Sequence, residues 1–330
     1  MTAGQSIMSN QPVVSIVTPS YNSAKFIKRC IESVFAQEYP KVEHIVQDGA
    51  STDGTVDILS KYGGRVDWAS EPDCGQPEGL DRALKRSRGD IILVLNADDL
   101  LLPNAASWAV ENMGKYPEAA VVYGDEYIIN EDEEIIGVSH GPEPYAFERL
   151  FCCEEVPPAQ AAFIRRACLE RVGLGADPTL PTAPDFEMWV RLGLRFPMQH
   201  VSGFVAKYRW HTNSGSRRAD MVEKLVAARR LVIDRVLDAP DTPTAVRSLR
   251  QRAYSGLDMW AAMTASSIGA KRAAWSYAWR GLRQRPSAYA GGRFFGAAVS
   301  QHRLGRICYY GSVKPAWGLL KIMKIVRRGL

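Results

Sequence analysis

Ile91-Ile92-Leu93-Val94-Leu95-Asn96-Ala97-Asp98-Asp99 decides the fold. Five consecutive aliphatic residues run directly into two carboxylates. An unbroken apolar run suits a strand buried on both faces of a sheet. The carboxylates mark the end where that strand meets water. In open α/β sheets, ligands bind outside the carboxyl ends of the strands. Carboxylate oxygens facing such a crevice suit Mg²⁺ or Mn²⁺, and those ions suit diphosphates. The competing reading is a turn, because Asn and Asp are also loop and capping residues.

The flanking sequence repeats the pattern. Val13-Val14-Ser15-Ile16-Val17-Thr18 reads as a first strand, stopped by Pro19-Ser20-Tyr21-Asn22-Ser23. Ala24 to Gln37 has helical spacing, with Phe26, Ile27, Cys30, Ile31, Val34 and Phe35 on one face. Val42 to Gln47 is a second strand, followed by Asp48-Gly49-Ala50-Ser51-Thr52-Asp53-Gly54-Thr55, in which Asp53 also suits a cap. Val66 to Ser70 is a third strand, ending at Glu71-Pro72-Asp73-Cys74-Gly75-Gln76. Helices over Val56 to Tyr62 and Gly79 to Ser87 separate these strands. The alternation predicts a mostly parallel α/β sheet sandwiched by helices. Parallel strands put their C-terminal ends on one edge. Thr18/Tyr21, Asp48/Asp53, Asp73/Gln76 and Asp98/Asp99 should therefore converge.

Beyond the central strand, a helix from Leu102-Pro103-Asn104 reaches about Tyr116. Ala120 to Ile129 reads as a strand, a break and an antiparallel edge strand, and Glu131 to Glu134 as a solvated hairpin tip. Phe147 to Pro158 is irregular, Ala161 to Ile164 a strand, and Cys168 to Val172 a short helix. A proline-rich loop, Pro178 to Pro184, delivers Asp185 to the N-cap of a helix running to Leu194, with Glu187 in its first turn. Val201 to Tyr208 is a last strand, followed by Arg209-Trp210-His211.

Composition is that of a globular chain: 330 residues, 46% hydrophobic, 23% charged, net charge +5. The charge is unevenly spread, since no acidic residue follows Asp258 while Lys and Arg continue to Arg328. The six cysteines form neither a metal-ligand spacing nor a disulfide framework, which suits reduced thiols in a cytoplasmic protein. No apolar signal core opens the chain, and no apolar run reaches the roughly 18 residues of a spanning helix. After Ser216 the alternation ends. Met221 to Leu237, Val246 to Ser266 and Ala270 to Gln284 have helical spacing, the last two resembling one tetratricopeptide-like hairpin. Residues 294–330 are basic and aromatic and read as an interfacial segment for anionic lipid, or as a helix packed on protein.

In order and spacing, Thr18-Pro19-Ser20-Tyr21-Asn22, Asp48 to Thr55, Asn96-Ala97-Asp98-Asp99 and Asp185-Phe186-Glu187-Met188-Trp189 resemble the signature of family 2 glycosyltransferases. Those are inverting enzymes of the GT-A fold that use nucleotide sugars. The resemblance covers about residues 13–215, leaving 1–12 as a flexible N-terminus and 216–330 as a helical, basic C-terminal region. It implies that Thr18, Pro19, Tyr21 and Asn22 line the nucleotide pocket, with Tyr21 against the base. Asp48 would accept from the base, with Asp73 and Gln76 nearby. Asn96-Ala97-Asp98 stands at the family's Asp-x-Asp position, so Asp98 would hold Mn²⁺ or Mg²⁺, while Asp99 would contact sugar or supporting groups. Asp185 would be the catalytic base, with Glu187 second. His211 would reach metal or diphosphate, and Gln160 the acceptor side. The sequence departs from the pattern in two places: Asn96 replaces an Asp, and Gly75-Gln76-Pro77-Glu78-Gly79-Leu80-Asp81 stands where Gly-Gln-Ser-Asp-Ala-Leu-Asn is common, with Asp81 in place of Asn.

The chemistry follows independently. A diphosphate leaving group develops negative charge that a divalent ion stabilises. An acceptor hydroxyl needs its proton removed in the transition state by a carboxylate on the opposite face of the sugar. The expected function is metal-dependent inverting transfer from a nucleotide-diphosphate sugar to a glycan or lipid-linked acceptor in surface polysaccharide synthesis. The expected site of action is the cytoplasm, peripheral on the inner face of the membrane if the basic tail docks there, with no nucleic acid as partner. The alternatives are a nucleotidyltransferase of the same diphosphate–metal logic and a non-catalytic sugar-nucleotide binder or scaffold.

Overall fold

The structure, a computed structural model, describes residues 11–211 and 219–285. In chain order the elements are β1 (Val14–Ser20), α1 (Ile27–Phe35), β2 (Val42–Asp48), α2 (Thr55–Ser60), β3 (Asp67–Ser70), α3 (Gln76–Arg86), β4 (Ile91–Val94), β5 (Leu100–Leu101), α4 (Ala105–Lys115), β6 (Val121–Ile129) and β7 (Ile135–Ser139). They continue as α5 (Phe147–Phe151), β8 (Ala162–Arg165), α6 (Arg166–Val172), α7 (Pro184–Gly193), β9 (Met198–Arg209), α8 (Ala219–Asp238), α9 (Thr244–Arg247), α10 (Arg250–Ser267) and α11 (Lys271–Gln284).

One sheet runs β3-β2-β1-β4-β8-β6-β9-β5, with β7 also paired to β6. The half that carries the polar clusters is parallel. β1 lies between β2 and β4, in register Ser20 to Asp48 and Val17 to Val94, and Asp48 continues to Ser70 of β3. The strand ends at Ser20, Asp48 and Ser70 therefore share one edge. β4 is closed off on both faces, with Ile91, Ile92, Leu93 and Leu95 all fully buried. One side chain set, including Ile16, Leu93 and Leu95, packs with Cys30 and Val34 of α1 and Ala105, Ala109 and Met113 of α4. The intervening residues, such as Val17 and Ile92, are equally buried, and α3 packs across β1 and β2. Both parities inside is what an unbroken aliphatic run requires.

The other half of the sheet is mixed. β8 is antiparallel to β4 and to β6, β9 is parallel to β6, and β5 is antiparallel to β9. Residues 121–129, expected as two strands with the second at an edge, form one strand in the sheet interior. Its N-terminal part pairs with β8, its C-terminal part with β7, and its whole length with β9. A register shift near Gly124 replaces the expected break. Gly124 has no room for a side chain, because a Cβ there would meet the Gly203 carbonyl at 2.6 Å.

The chain separates into two compact units. The first runs to Phe147 and resumes over Val156–Trp210; the second takes Glu148–Glu155 and the chain from His211 onward. Part of the stretch expected to be irregular, from Phe147, is thus a short helix leading into the second unit. There Arg252 of α10 holds Glu154 with two hydrogen bonds, 2.8 and 2.6 Å. α8 buries Val222, Leu225, Val226, Val232, Ile233 and Leu237, and Arg229 stacks on Trp260 at 3.9 Å. The helix expected from Val246 is divided into α9 and α10. α10 and α11 pack as a pair. The interfacial segment expected at 294–330 lies outside the described residues. Among those described, no helix is long and apolar enough to cross a membrane, and Cys30, Cys74, Cys152, Cys153 and Cys168 are all free thiols.

Candidate active site

The loops after β1 and β2 are bound to each other. Asn22 adopts the left-handed conformation at φ 47, a region that asparagine tolerates better than most residues. Its backbone N–H donates to Ser51 Oγ at 2.7 Å, and its side-chain oxygen accepts from the Thr52 N–H at 3.0 Å. The Ser23 N–H donates to Thr55 Oγ1, and the Ala24 N–H to Asp53 Oδ2, both at 2.9 Å. Asp53 also accepts from the N–H and hydroxyl of Thr55. It therefore steadies the start of α2 from one position before the cap residue, Gly54. Tyr21, at the tip of the first loop, is 65% exposed.

Asp48 is fully buried. Its carboxylate accepts from the Ser51 N–H (2.8 Å), Ser51 Oγ (2.5 Å) and Ser70 Oγ (2.7 Å), joining the ends of β2 and β3. Asp73 accepts from the Gly75 N–H at 2.9 Å. It fits into space left by two glycines, since a Cβ on either Gly49 or Gly79 would come within 2.9 Å of Asp73 Oδ2. Gly79 in turn faces Pro19, so Pro19, Asp48 and Asp73 converge.

A second chain of hydrogen bonds carries the contact to the Asp98–Asp99 turn. Gln76 Nε2 donates to Asn96 Oδ1 at 3.2 Å, and Asn96 Nδ2 donates to Asp99 Oδ2 at 3.0 Å. The Arg209 N–H donates to Asp99 Oδ1 at 2.7 Å, and Arg209 Nε to the Asp98 carbonyl at 2.8 Å. Asp99 is fully buried, and burial followed by the neighbouring charge of Asp98 pushes its carboxyl well above the usual range. Asp98 is half-buried, as is Asn96, while Ala97 is buried against Val46 and Ile31.

Thr18 lies differently from expectation. It is fully buried, and its hydroxyl meets His44 Nε2 at 3.0 Å. Burial lowers His44 to about 3, leaving it neutral. Thr18 thus supports the strand from beneath and does not open onto the crevice.

Asp185 stands in the first turn of α7, not at its N-cap. Ala183, in the left-handed conformation at φ 57, is the cap residue and Pro184 opens the helix. An anion in a first turn is favoured by the unsatisfied N–H groups there. Glu187 is committed elsewhere: Arg191 Nε holds it at 2.7 Å, while Arg191 Nη1 and Nη2 donate to the Val172 and Gly175 carbonyls at 3.1 and 2.8 Å. Gly175 lies against Asp81 of α3, where a Cβ would have no room, and α7 itself packs on α3. The helix that begins with Gln76 therefore neighbours the one that begins beside Asp185. Asp81 is paired to Lys85 at 2.7 Å. Gln160 is buried in the turn before β8, and His211 is buried at the start of the second unit.

Among the described residues no three His, Cys, Asp or Glu side chains gather as a metal cage. Asp99 is fully buried with both carboxylate oxygens accepting hydrogen bonds, so of the Asp98–Asp99 pair it is Asp98, half-buried, that could hold a divalent ion. Mg²⁺ commonly takes one or two protein carboxylates plus substrate phosphates.

Sequence reading missed Arg209. It is 1% exposed and donates to the Asn130 and Glu131 carbonyls at 3.1 and 3.0 Å and to Glu133 Oε1 at 3.3 Å, with Phe26 stacked at 4.8 Å. The hairpin tip is accordingly tethered at Glu133, while Glu131, Asp132 and Glu134 are exposed. Glu133 is also held by Arg29 at 2.8 and 2.7 Å, and those bonds bring its carboxyl down to about 2. The available signal was an arginine at the end of a buried strand, a residue that is rarely inside unless paired.

A mixed sheet with its polar loops gathered beyond the parallel strands defines a GT-A-type transferase fold, and solved structures agree. A mannosyltransferase from Pyrobaculum calidifontis, in complex with GDP-Man and Mn²⁺, matches with a TM-score of 0.58 at 18% identity, over 90% of this chain and 83% of that one. S. aureus TarS in complex with UDP-GlcNAc matches with a TM-score of 0.55 at 16% identity, over 84% and 92%. The family model described as Glycosyl transferase family 2 matches residues 15–173. An uncharacterized glycosyltransferase of Mycobacterium tuberculosis is 32% identical over 192 residues, 57% of this chain and 71% of that protein. An Escherichia coli chondroitin synthase is 28% identical over 58% of this chain but only 28% of its own length. The chain belongs to glycosyl transferase family 2.

Proposed function

We propose that this glycosyltransferase moves a sugar, with inversion, from a nucleotide-diphosphate sugar to a hydroxyl of a glycan or lipid-linked acceptor in surface polysaccharide synthesis. The reading is supported by one arrangement above all: the continuous hydrogen bonding from Gln76 through Asn96 to Asp99 and the Asp98 turn, with Gln76 three residues after Asp73, which itself packs against Gly49 at the end of β2. In this account the exposed ring of Tyr21 stacks on the base. Asn22, bonded to the second loop, keeps that ring in place, while Asp48 holds the floor of the pocket through Ser51 and Ser70. Asp73 and Gln76 face the nucleoside. Asp98 would hold Mn²⁺ or Mg²⁺, which when bound supplies charge neutralisation for the diphosphate; Asp99 orients the turn from beneath.

Asp185 is the proposed base. Its carboxylate receives the acceptor hydroxyl proton as the oxygen attacks the anomeric carbon from the face opposite the diphosphate. Glu187 is the weaker candidate because Arg191 occupies it. The proposed place of action is the cytoplasmic face of a membrane. Release of nucleoside diphosphate from a panel of nucleotide sugars, with and without Mn²⁺, tests the function. Thermal shifts with uridine and guanosine diphosphates identify the base. No release and no shift with any of them would reject the reading.

A further inference from the structure

α11 turns its small residues inward and its large ones outward. Ala274, Ala278 and Gly281 are buried in the pairing with α10. On the opposite side Trp275 and Trp279, one turn apart, are 56% and 58% exposed. Lys271, Arg272, Ser276, Arg280 and Arg283 share that exposed surface, and the Arg283 guanidinium lies 5.2 Å from the Trp279 ring. α11 contains no acidic residue. Asp258 of α10 is fully buried and is already bonded to Arg280 at 2.6 Å and Gln284 at 3.1 Å.

Two neighbouring indoles left in water, flanked along their own helix by charge of one sign, form an interaction surface. The charge selects the partner. A second copy of the same face would bring like charges together. An anionic leaflet offers a broad surface of opposite charge, and indoles favour the level of lipid headgroups. The chain following α11 keeps the same sign to its end, with no Asp or Glu through Leu330.

We propose that the Trp275/Trp279 face of α11 docks on an anionic lipid surface, with the indoles at headgroup depth and Lys271, Arg272 and Arg283 against lipid phosphates. This rests on the membrane-facing part of the proposed function and is independent of the transfer chemistry.

The test uses the full chain with vesicles of phosphatidylcholine, with and without phosphatidylglycerol, in a sedimentation assay read alongside tryptophan emission. Binding is expected only with phosphatidylglycerol, falling with added salt. Paired Trp275→Ser and Trp279→Ser substitutions should weaken it about tenfold, and Lys271→Glu with Arg272→Glu and Arg283→Glu about a hundredfold or more. The emission should shift to the blue on binding and lose that shift in the Trp variants. Donor hydrolysis by the Trp variants should match wild type, so failure of the transferase reading shows separately as absent hydrolysis in every form. Equal binding by wild type and Trp variants, binding to neutral vesicles alone, self-association through this face, or capture only of acidic oligosaccharides would overturn the proposal.

Discussion

Arg209 grips both halves of the Asp98–Asp99 turn: its Nε donates to the Asp98 carbonyl at 2.8 Å and its backbone N–H to the Asp99 carboxylate at 2.7 Å. The same side chain reaches the hairpin between β6 and β7, so the turn is tied to the sheet from outside as well as within.

Replacing Arg209 by Met should therefore be costly. It leaves the Asp98, Asn130 and Glu131 carbonyls without their donor and removes a charge that is buried and paired. Loss of about 3 kcal/mol or more of unfolding free energy in urea is expected. Lysine, which cannot reproduce the fork, should restore only part of it.

Glu133 gives the acid limb of stability. Its carboxyl falls from 4.5 to about 2 on folding, chiefly through the hydrogen bond from Arg29. A depressed carboxyl stabilises above its unfolded value, and the contribution is lost as pH falls from 4.5 through about 2. Arg29 is half exposed, so water screens part of the effect and about 1–2 kcal/mol is expected. Glu133→Gln should flatten stability against pH in that window, measured by denaturant midpoints.

His200 acts in the opposite sense. It lies between Asp125 at 3.0 Å and Glu143 at 3.2 Å, and the Asp125 hydrogen bond foremost raises its pKa above 6.5. Its contribution is complete below 6.5 and fades as pH rises through the higher folded value. His200→Gln should remove that alkaline decline from thermal melts.

Gly79→Ala separates stability from binding. Alanine usually favours a helix by about 1 kcal/mol over glycine. Here its Cβ would reach within 2.9 Å of the Asp73 carboxylate and push it aside. Stability should hold or rise while nucleotide diphosphate affinity falls, about tenfold if one charge-assisted hydrogen bond is lost. Calorimetric titration compares the two forms.

Much of the parallel half was readable from residue order, because Ile91 to Leu95 had no polar face to offer and the polar clusters recurred after each strand. Asp73 meets the loop that follows Asp48, and Gln76, Asn96 and Asp99 are joined by hydrogen bonds. The pairing of Arg209 with Asp98 and Glu133 was not readable, because side-chain partners far apart in sequence leave no local spacing. Glu131, Asp132 and Glu134 are exposed as a charged tip suggests, but the hold of Arg29 and Arg209 on Glu133 had no local signal. The β6 error has a similar origin: Gly124-Asp125-Glu126 has the composition of a break. It instead holds a register shift, with Asp125 bonded to the His200 ring and Glu126 buried, which pushes its carboxyl up to about 8. Asp185 was displaced from the cap because Pro184, at the first helical position, moved the boundary back to Ala183.

The most direct test of the central claim is single-turnover transfer by Asp185→Asn with a donor that the wild type uses. The account predicts a fall of about a thousandfold or more in the transfer rate, with nucleotide diphosphate affinity unchanged. Transfer at the wild-type rate by the Asn variant would contradict it.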